Sequence, residues 1–259
     1  MLKDRRYALI INRDDAHFTK PLKAFLDANP GVFKAIFYTD FFPPQAKKWK
    51  YIKTSLSIVS YAYWFKLTFR LFKTWIFSSR LSPKKSRIQN SLTALCKDYH
   101  IPCFHVKDVN SNWFESSLKQ CNVNTIFSMT SQIYKPTILD NKDFEFYNFH
   151  PSLLPNNKGR FPIFWAIVKG DDQGLTCHRI NKKIDEGKII YQRVLALPKK
   201  MKVEEIMAHI SLEMPHFMGQ CMQVLESGNM VFEGNKYTAF YGPIPTKEDI
   251  LKYRSIIKE

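Results

Sequence analysis

The sequence predicts an α/β fold with a doubly wound, mostly parallel sheet, and three observations lead there. Short apolar runs rich in β-branched and aromatic residues alternate with stretches of helical periodicity. Pro, Gly and Asn mark the turns between them. The residues with the most chemistry follow the end of one apolar run, and ligands collect at the carboxyl ends of strands in parallel sheets.

The elements follow in order. Residues 7–11 read as a strand, 12–15 as a polar turn, and Leu22, Phe25 and Leu26 place a helix. A second strand over 32–38 comes after Asn29-Pro30-Gly31, and regularity stops at Pro43-Pro44. It resumes with 91–99 as the end of a helix, 102–106 as a strand, 113–120 as a helix and 123–129 as a buried strand. Residues 144–149 form a further strand that runs into His150-Pro151. Beyond it the pattern gives a helix over 162–168 and strands over 175–180 and 188–195. Ile206, Ile210 and Phe217 set a helix over 203–225, with Pro215 as a kink. Thr246-Lys-Glu-Asp249 has the spacing of a capping box and starts a last helix. The expected organisation is a catalytic domain over 1–200, with a basic helical insertion at about 41–90, and a C-terminal helical extension over 201–259.

A chain of 259 residues holds one large α/β domain, with room for a small appendage, and a hydrophobic content of 45% excludes a disordered polymer. Cys96, Cys103, Cys121, Cys177 and Cys221 show no close pairing, and no secretory leader precedes them. Neither a disulfide framework nor a zinc cluster is expected, and the expected compartment is the reducing cytoplasm. The most apolar stretch is broken by Lys66, Arg70 and Lys73, short of the roughly 18 to 20 uncharged residues of a membrane-spanning helix.

A net charge of +16 calls for an anionic partner. From Phe41 to Lys97 there are twelve Lys and Arg and no Asp or Glu. Within that block Lys66, Arg70 and Lys73 recur at helical spacing among Trp64, Phe65, Leu67, Phe69, Leu71, Phe72, Trp75 and Ile76. Such a helix can pack on its own domain, lie on an anionic membrane surface through 45–90, or cover a partner, including a second copy in a homodimer.

The densest chemistry lies between Asn148 and Gly187: Asn148-Phe-His150-Pro-Ser-Leu-Leu-Pro155, Gly159-Arg160, Pro162, Trp165-Ala166-Ile167, Gly170, Thr176, His178, Ile184-Asp185 and Gly187. Asn148 and His150 alternate along a strand end, so both side chains can project into one crevice. An Asn offers an N–H donor and a His exchanges a proton near neutral pH. Attack by an amine on a formyl carbon creates an oxyanion that such donors stabilise, and a proton must then leave the nitrogen. Taken singly, Asn148 reads as a turn residue, His150 as a satisfied histidine and Asp185 as a cap; in order and spacing they propose amine acylation.

This set resembles the signature of the N10-formyltetrahydrofolate-dependent formyltransferases: Asn-x-His-Pro-Ser-Leu-Leu-Pro, then a Gly, then Gly-x-Thr-x-His, then Asp-x-Gly. The resemblance is strong over 146–192, weaker over the two preceding strands and absent over 41–90. It implies the Rossmann-like formyltransferase fold and N10-formyltetrahydrofolate as co-substrate, with no metal. It also implies that Asn148 and His150 polarise the formyl oxygen, while Asp185 orients His150 or a water that relays the amine's proton. Folate contacts are implied for Met129, Ile133, Leu153 and Asp185, and acceptor contacts for Lys158, Gly159, Arg160 and Trp165, although Trp165 also reads as helix packing.

The family divides by acceptor. Asn157-Lys-Gly-Arg-Phe-Pro-Ile-Phe-Trp165 is similar to the sugar-nucleotide branch, so the expected partner is a nucleotide-linked amino sugar, such as a dideoxy amino hexose of a surface polysaccharide. Glycinamide ribonucleotide or initiator methionyl-tRNA is the alternative acceptor. The segment after Leu195 leaves little room for the C-terminal β-barrel of the tRNA enzymes, and nucleic acid is not expected as a partner. A non-catalytic, membrane-associated binding protein is the alternative of another class. The expected location is cytoplasmic, with peripheral membrane association through the basic block.

Overall fold

The computed structural model describes residues 4–12, 18–40, 48–77, 83, 91–198, 200–228 and 238–258. Its strands are Tyr7–Asn12 (β1), Phe33–Thr39 (β2), Cys103–His105 (β3), Thr125–Met129 (β4), Glu145–His150 (β5), Lys158–Gly159 (β6), Gly174–Arg179 (β7), Ile189–Val194 (β8) and Tyr241–Gly242 (β9). Its helices are Thr19–Ala28 (α1), Lys48–Ile58 (α2), Tyr61–Phe77 (α3), Leu92–Asp98 (α4), Asn112–Gln120 (α5), Pro136–Leu139 (α6), Pro162–Lys169 (α7), Val203–Ser227 (α8) and Lys247–Lys258 (α9).

Seven strands form one sheet in the order β3-β2-β1-β4-β5-β7-β8, and β6 pairs with β9 in a separate ribbon. β1 runs parallel to β2 and β4, and β2 parallel to β3. β7 and β8 are antiparallel, because only the short connection 180–188 joins them and a parallel pair needs a longer crossover. The mostly parallel α/β sheet expected from the sequence is therefore present. Its central strand β1 is buried along Ala8, Leu9 and Ile10, as a strand covered on both faces must be.

The chain forms two compact units, one of residues 1–45 and 65–147, the other of 46–64 and 148–259. In the first, Phe37 packs against Phe104 and, edge-on, Phe114. A buried ion pair joins Arg5 to Glu145 at 2.9 Å, and the Tyr147 hydroxyl donates to the same carboxylate at 2.9 Å. In the second unit, Phe217 of α8 meets Phe149 and Tyr191 with ring centroids 5.7 and 5.3 Å away. Tyr253 of α9 is buried against Phe164, and its hydroxyl accepts the Val203 N–H at 3.2 Å.

Local rules account for most boundaries. Thr246 Oγ1 accepts the Asp249 N–H and Asp249 Oδ2 accepts the Thr246 N–H, the reciprocal cap read from the sequence. α8 continues through Pro215 as one helix of 25 residues. Residues 91–99, expected as the end of a helix, hold both ends of a short one, Leu92–Asp98. Ser91 Oγ accepts the Ala94 N–H at 3.4 Å, so the side chain satisfies a donor that periodicity alone does not register. The predicted turn 12–15 falls largely outside the described residues, as do Lys47, Arg80, Lys84, Lys85 and Arg87 of the basic block.

Phe217 is fully buried and supports the strand carrying Asn148 and His150. Phe217→Ala is expected to lower stability by about 3 to 5 kcal/mol, read from the urea midpoint.

Candidate active site

Strand geometry brings the site together within the second unit. On β5, Phe149 turns into the apolar core against Phe217, so Asn148 and His150 share the opposite face. On β7, Thr176 and His178 alternate in the same way. Asn148 Nδ2 lies 3.2 Å from His178 Nε2.

The segment after β5 is pinned from both ends. Thr176 Oγ1 donates to the Ser152 carbonyl at 2.6 Å and accepts the Leu154 N–H at 3.1 Å. Ser152 Oγ donates to the Asn156 carbonyl at 2.9 Å, and Gln192 Nε2 donates to the Leu154 carbonyl at 2.7 Å. These bonds hold the Asn157 carbonyl 3.0 Å from His150 Nε2. A carbonyl only accepts, so His150 Nε2 carries the proton and, in the neutral ring, Nδ1 bears the lone pair. That lone pair faces Asp185 Oδ2 at 3.6 Å.

Asp185 sits in the β7–β8 connection with φ 53°, a left-handed conformation that Asp tolerates better than most residues. Its Oδ2 accepts the Gly159 N–H at 2.8 Å and its Oδ1 lies 3.5 Å from His178 Nε2. Gly187 makes this loop possible: a Cβ there would stand 1.6 Å from the Arg179 carbonyl oxygen. The Asp-x-Gly element of the motif is therefore a packing requirement. The Arg179 carbonyl also accepts from His178 Nδ1 at 3.1 Å, leaving Nε2 as the variable end of that ring. Without a proton, Nε2 accepts from Asn148; with one, it donates to Asp185.

The charges are tuned accordingly. Burial lowers the His150 pKa below its usual 6.5 and His178 adds to that, while Asp185 and the Asn157 carbonyl oppose it. Burial would push the Asp185 carboxyl up, but the His178 hydrogen bond, the charge of His150 and the Gly159 N–H together hold it at about 2. At neutral pH the site is therefore a neutral imidazole beside a carboxylate, an arrangement able to take up a proton and stabilise it.

The other expected residues fall into different places. Lys158 pairs with Glu186 at 2.8 Å, Gly159 contributes its N–H to Asp185, and Arg160 is exposed. Trp165 was expected at the acceptor; it is buried, with its indole N–H donated to the Pro243 carbonyl at 2.9 Å and its ring edge-on to Phe164 and Phe240. A Cβ at Gly242 would meet that ring at 2.3 Å, so Trp165 packs the β6–β9 ribbon. Leu153 is buried, with its side chain against Gly174. In the first unit, Met129 ends β4 half-buried and Ile133 is exposed. Sequence reading gave His178 no role, although its spacing from Thr176 on β7 signals a shared face. The Gly159 N–H and β9 left no side-chain signal.

Residues 81–220, more than half of the chain, match the Formyl transferase family model. The chain belongs to the formyl transferase family. The match begins after α2 and α3, so both helices lie outside it. A phosphoribosylglycinamide formyltransferase from Anaplasma phagocytophilum is similar in fold, with TM-score 0.58, 18% identity, and 87% of this chain and 89% of that one covered. A sugar N-formyltransferase from a Shewanella species gives TM-score 0.56 at 16% identity, covering 96% of this chain and 87% of that one. A formyltetrahydrofolate deformylase from Pseudomonas syringae gives 0.56 at 14% identity, covering 89% and 64%. This formyltransferase thus shares its fold with two differently named formyltransferases and a deformylase.

Gly187→Ala is expected to displace the Asp185 loop and reduce turnover at least about 100-fold, measured by steady-state kinetics, because the clash is with backbone. Stability should also fall on acidification in two windows. Below 6.5 the unfolded chain protonates its histidine before His150 does, and between 3.8 and about 2 it protonates its aspartate before Asp185 does. The second window is worth about 2 kcal/mol, and Asp185→Asn is expected to remove it from urea midpoints measured across pH.

Proposed function

We propose that this formyltransferase moves the formyl group of N10-formyltetrahydrofolate to the amine of a nucleotide-linked amino sugar. The observation that carries the reading is His150, whose one proton is committed to the Asn157 carbonyl while its Nδ1 lone pair faces the Asp185 carboxylate. As the amine adds to the formyl carbon, Nδ1 accepts the nitrogen's proton and Asp185 stabilises the imidazolium. The Asn148 amide hydrogen not directed at His178 then donates to the oxyanion, and the charge of the imidazolium, its Nδ1–H facing Asp185, stabilises it further. The imidazolium returns its proton to the departing folate nitrogen, so the ring ends neutral and the amine's hydrogen has moved to the folate.

The donor set fits a formyl carrier: an amide N–H and a neutral imidazole on β5 stand with a carboxylate of the β7–β8 connection. Within the second unit, Leu153 and Asp185 would hold the folate. For the acceptor, the exposed cation of Arg160 beside Gly159 suits a phosphate, and the fold is shared with a sugar N-formyltransferase over 96% of this chain. The acceptor and its nucleotide set the pathway, which for a surface amino sugar is polysaccharide assembly.

Incubation with the formyl-folate and a panel of nucleotide-linked amino sugars is expected to release tetrahydrofolate, followed by absorbance. His150→Ala and Asp185→Asn are each expected to reduce turnover about 10²- to 10⁴-fold with the protein still folded. Turnover of glycinamide ribonucleotide with silence across the sugar panel would replace the acceptor; silence with every amine would remove formyl transfer itself.

A further inference from the structure

α3 lies outside the family match and takes no part in the site. Its first turn is fixed: Ser60 Oγ accepts the Tyr63 N–H at 3.2 Å and donates to Glu204 Oε1 at 2.7 Å, while Arg254 holds the Ser57 carbonyl at 3.0 Å. From there the helix extends 17 residues, about 25 Å. Tyr61, Phe65, Phe69 and Phe72 are 88%, 76%, 53% and 55% exposed. At 100° per residue they lie within roughly 80° of one another, forming one aromatic stripe. Lys66 and Lys73 are exposed along one flank, and the Lys73 ammonium sits 4.7 Å from the centre of the Phe69 ring.

A stripe of large exposed rings is costly in water and marks an interaction surface. Its surroundings select the occupant. Lys66 and Lys73 flank the stripe and the sequence 41–97 holds no acid to answer them, so a second copy packed on this face would set lysines against lysines. A nucleic acid duplex would answer the charge but keeps its bases stacked inside and offers the Phe stripe no apolar layer. A single strand, whose bases could stack on the rings, is separated from a bilayer by the test below. An anionic bilayer answers both: rings enter the headgroup region and lysine stems lie along them with the ammonium groups at lipid phosphates. Among the described residues no helix is long and apolar enough to cross a membrane, so the geometry is one of lying in the surface.

We propose that α3 is a docking surface for an anionic lipid bilayer, holding this enzyme at a membrane face through Phe65, Phe69, Phe72, Lys66 and Lys73. The full chain is expected to sediment with phosphatidylserine-containing vesicles and not with pure phosphatidylcholine vesicles, and to be released by salt. The variant F65S/F69S/F72S and the variant K66E/K73E are each expected to weaken partitioning at least about tenfold with an unchanged urea midpoint, because the replaced groups are exposed. Equal partitioning to both vesicles, or binding that survives the triple Phe change, overturns the proposal. So does light scattering that shows a dimer broken by the Phe variant in a protein that does not bind vesicles. Retention on single-stranded RNA that the lysine change abolishes and the Phe change leaves intact, with no vesicle binding, also overturns it.

Discussion

The interaction on which the site depends is the approach of the Asp185 carboxylate to two imidazoles, at 3.6 Å from His150 and 3.5 Å from His178. A carboxylate so nearly buried is costly unless it is paired and hydrogen-bonded. Here the Gly159 N–H donates to it and the two rings stabilise its charge whenever they carry a second proton, so the carboxyl is held at about 2. The charge is thereby fixed before any substrate arrives. Preorganised charge beside a neutral base lets a proton be accepted without reorganising the surroundings.

Each neighbouring feature keeps that carboxylate in position. The antiparallel turn from β7 to β8 supplies a short loop where a crossover would have placed a helix. Gly187 lets the loop close on the Arg179 carbonyl, which in turn fixes the His178 ring. Thr176 and Ser152 hold the segment that brings the Asn157 carbonyl to His150. The β6–β9 ribbon supports Gly159 from the other side, through the Lys158 N–H to the Phe240 carbonyl at 2.8 Å and Trp165 to Pro243. Many motif positions are thus structural, and they act on chemistry through a few atoms.

Much of this was legible in the sequence because it depends on side-chain periodicity. Strands β1, β2, β4, β5, β7 and β8 follow apolar runs, and Asn148 and His150 follow from alternation along one of them. The Thr246 and Asp249 cap was legible because both partners are side chains with fixed spacing. Features made of backbone were not. The Gly159 N–H, the Asn157 carbonyl and the two-residue β9 carry no periodic signal, and His178 gains its role only through strands that are distant in sequence. Trp165 illustrates the reverse case: its aromatic ring and N–H suit a ligand, but burial and the Pro243 carbonyl use both. In α3 the pattern of rings and lysines was readable, while its exposure required the fold.

Asp185 raises the basicity of an imidazole that burial has lowered. The most direct measurement is an NMR titration of the His150 ring, assigned by its loss in His150→Gln, in the native protein and in Asp185→Asn. The account predicts a midpoint below 6.5 in the native protein and a lower one still in the variant, because the carboxylate's support is gone. A midpoint that stays put or rises in Asp185→Asn would contradict it.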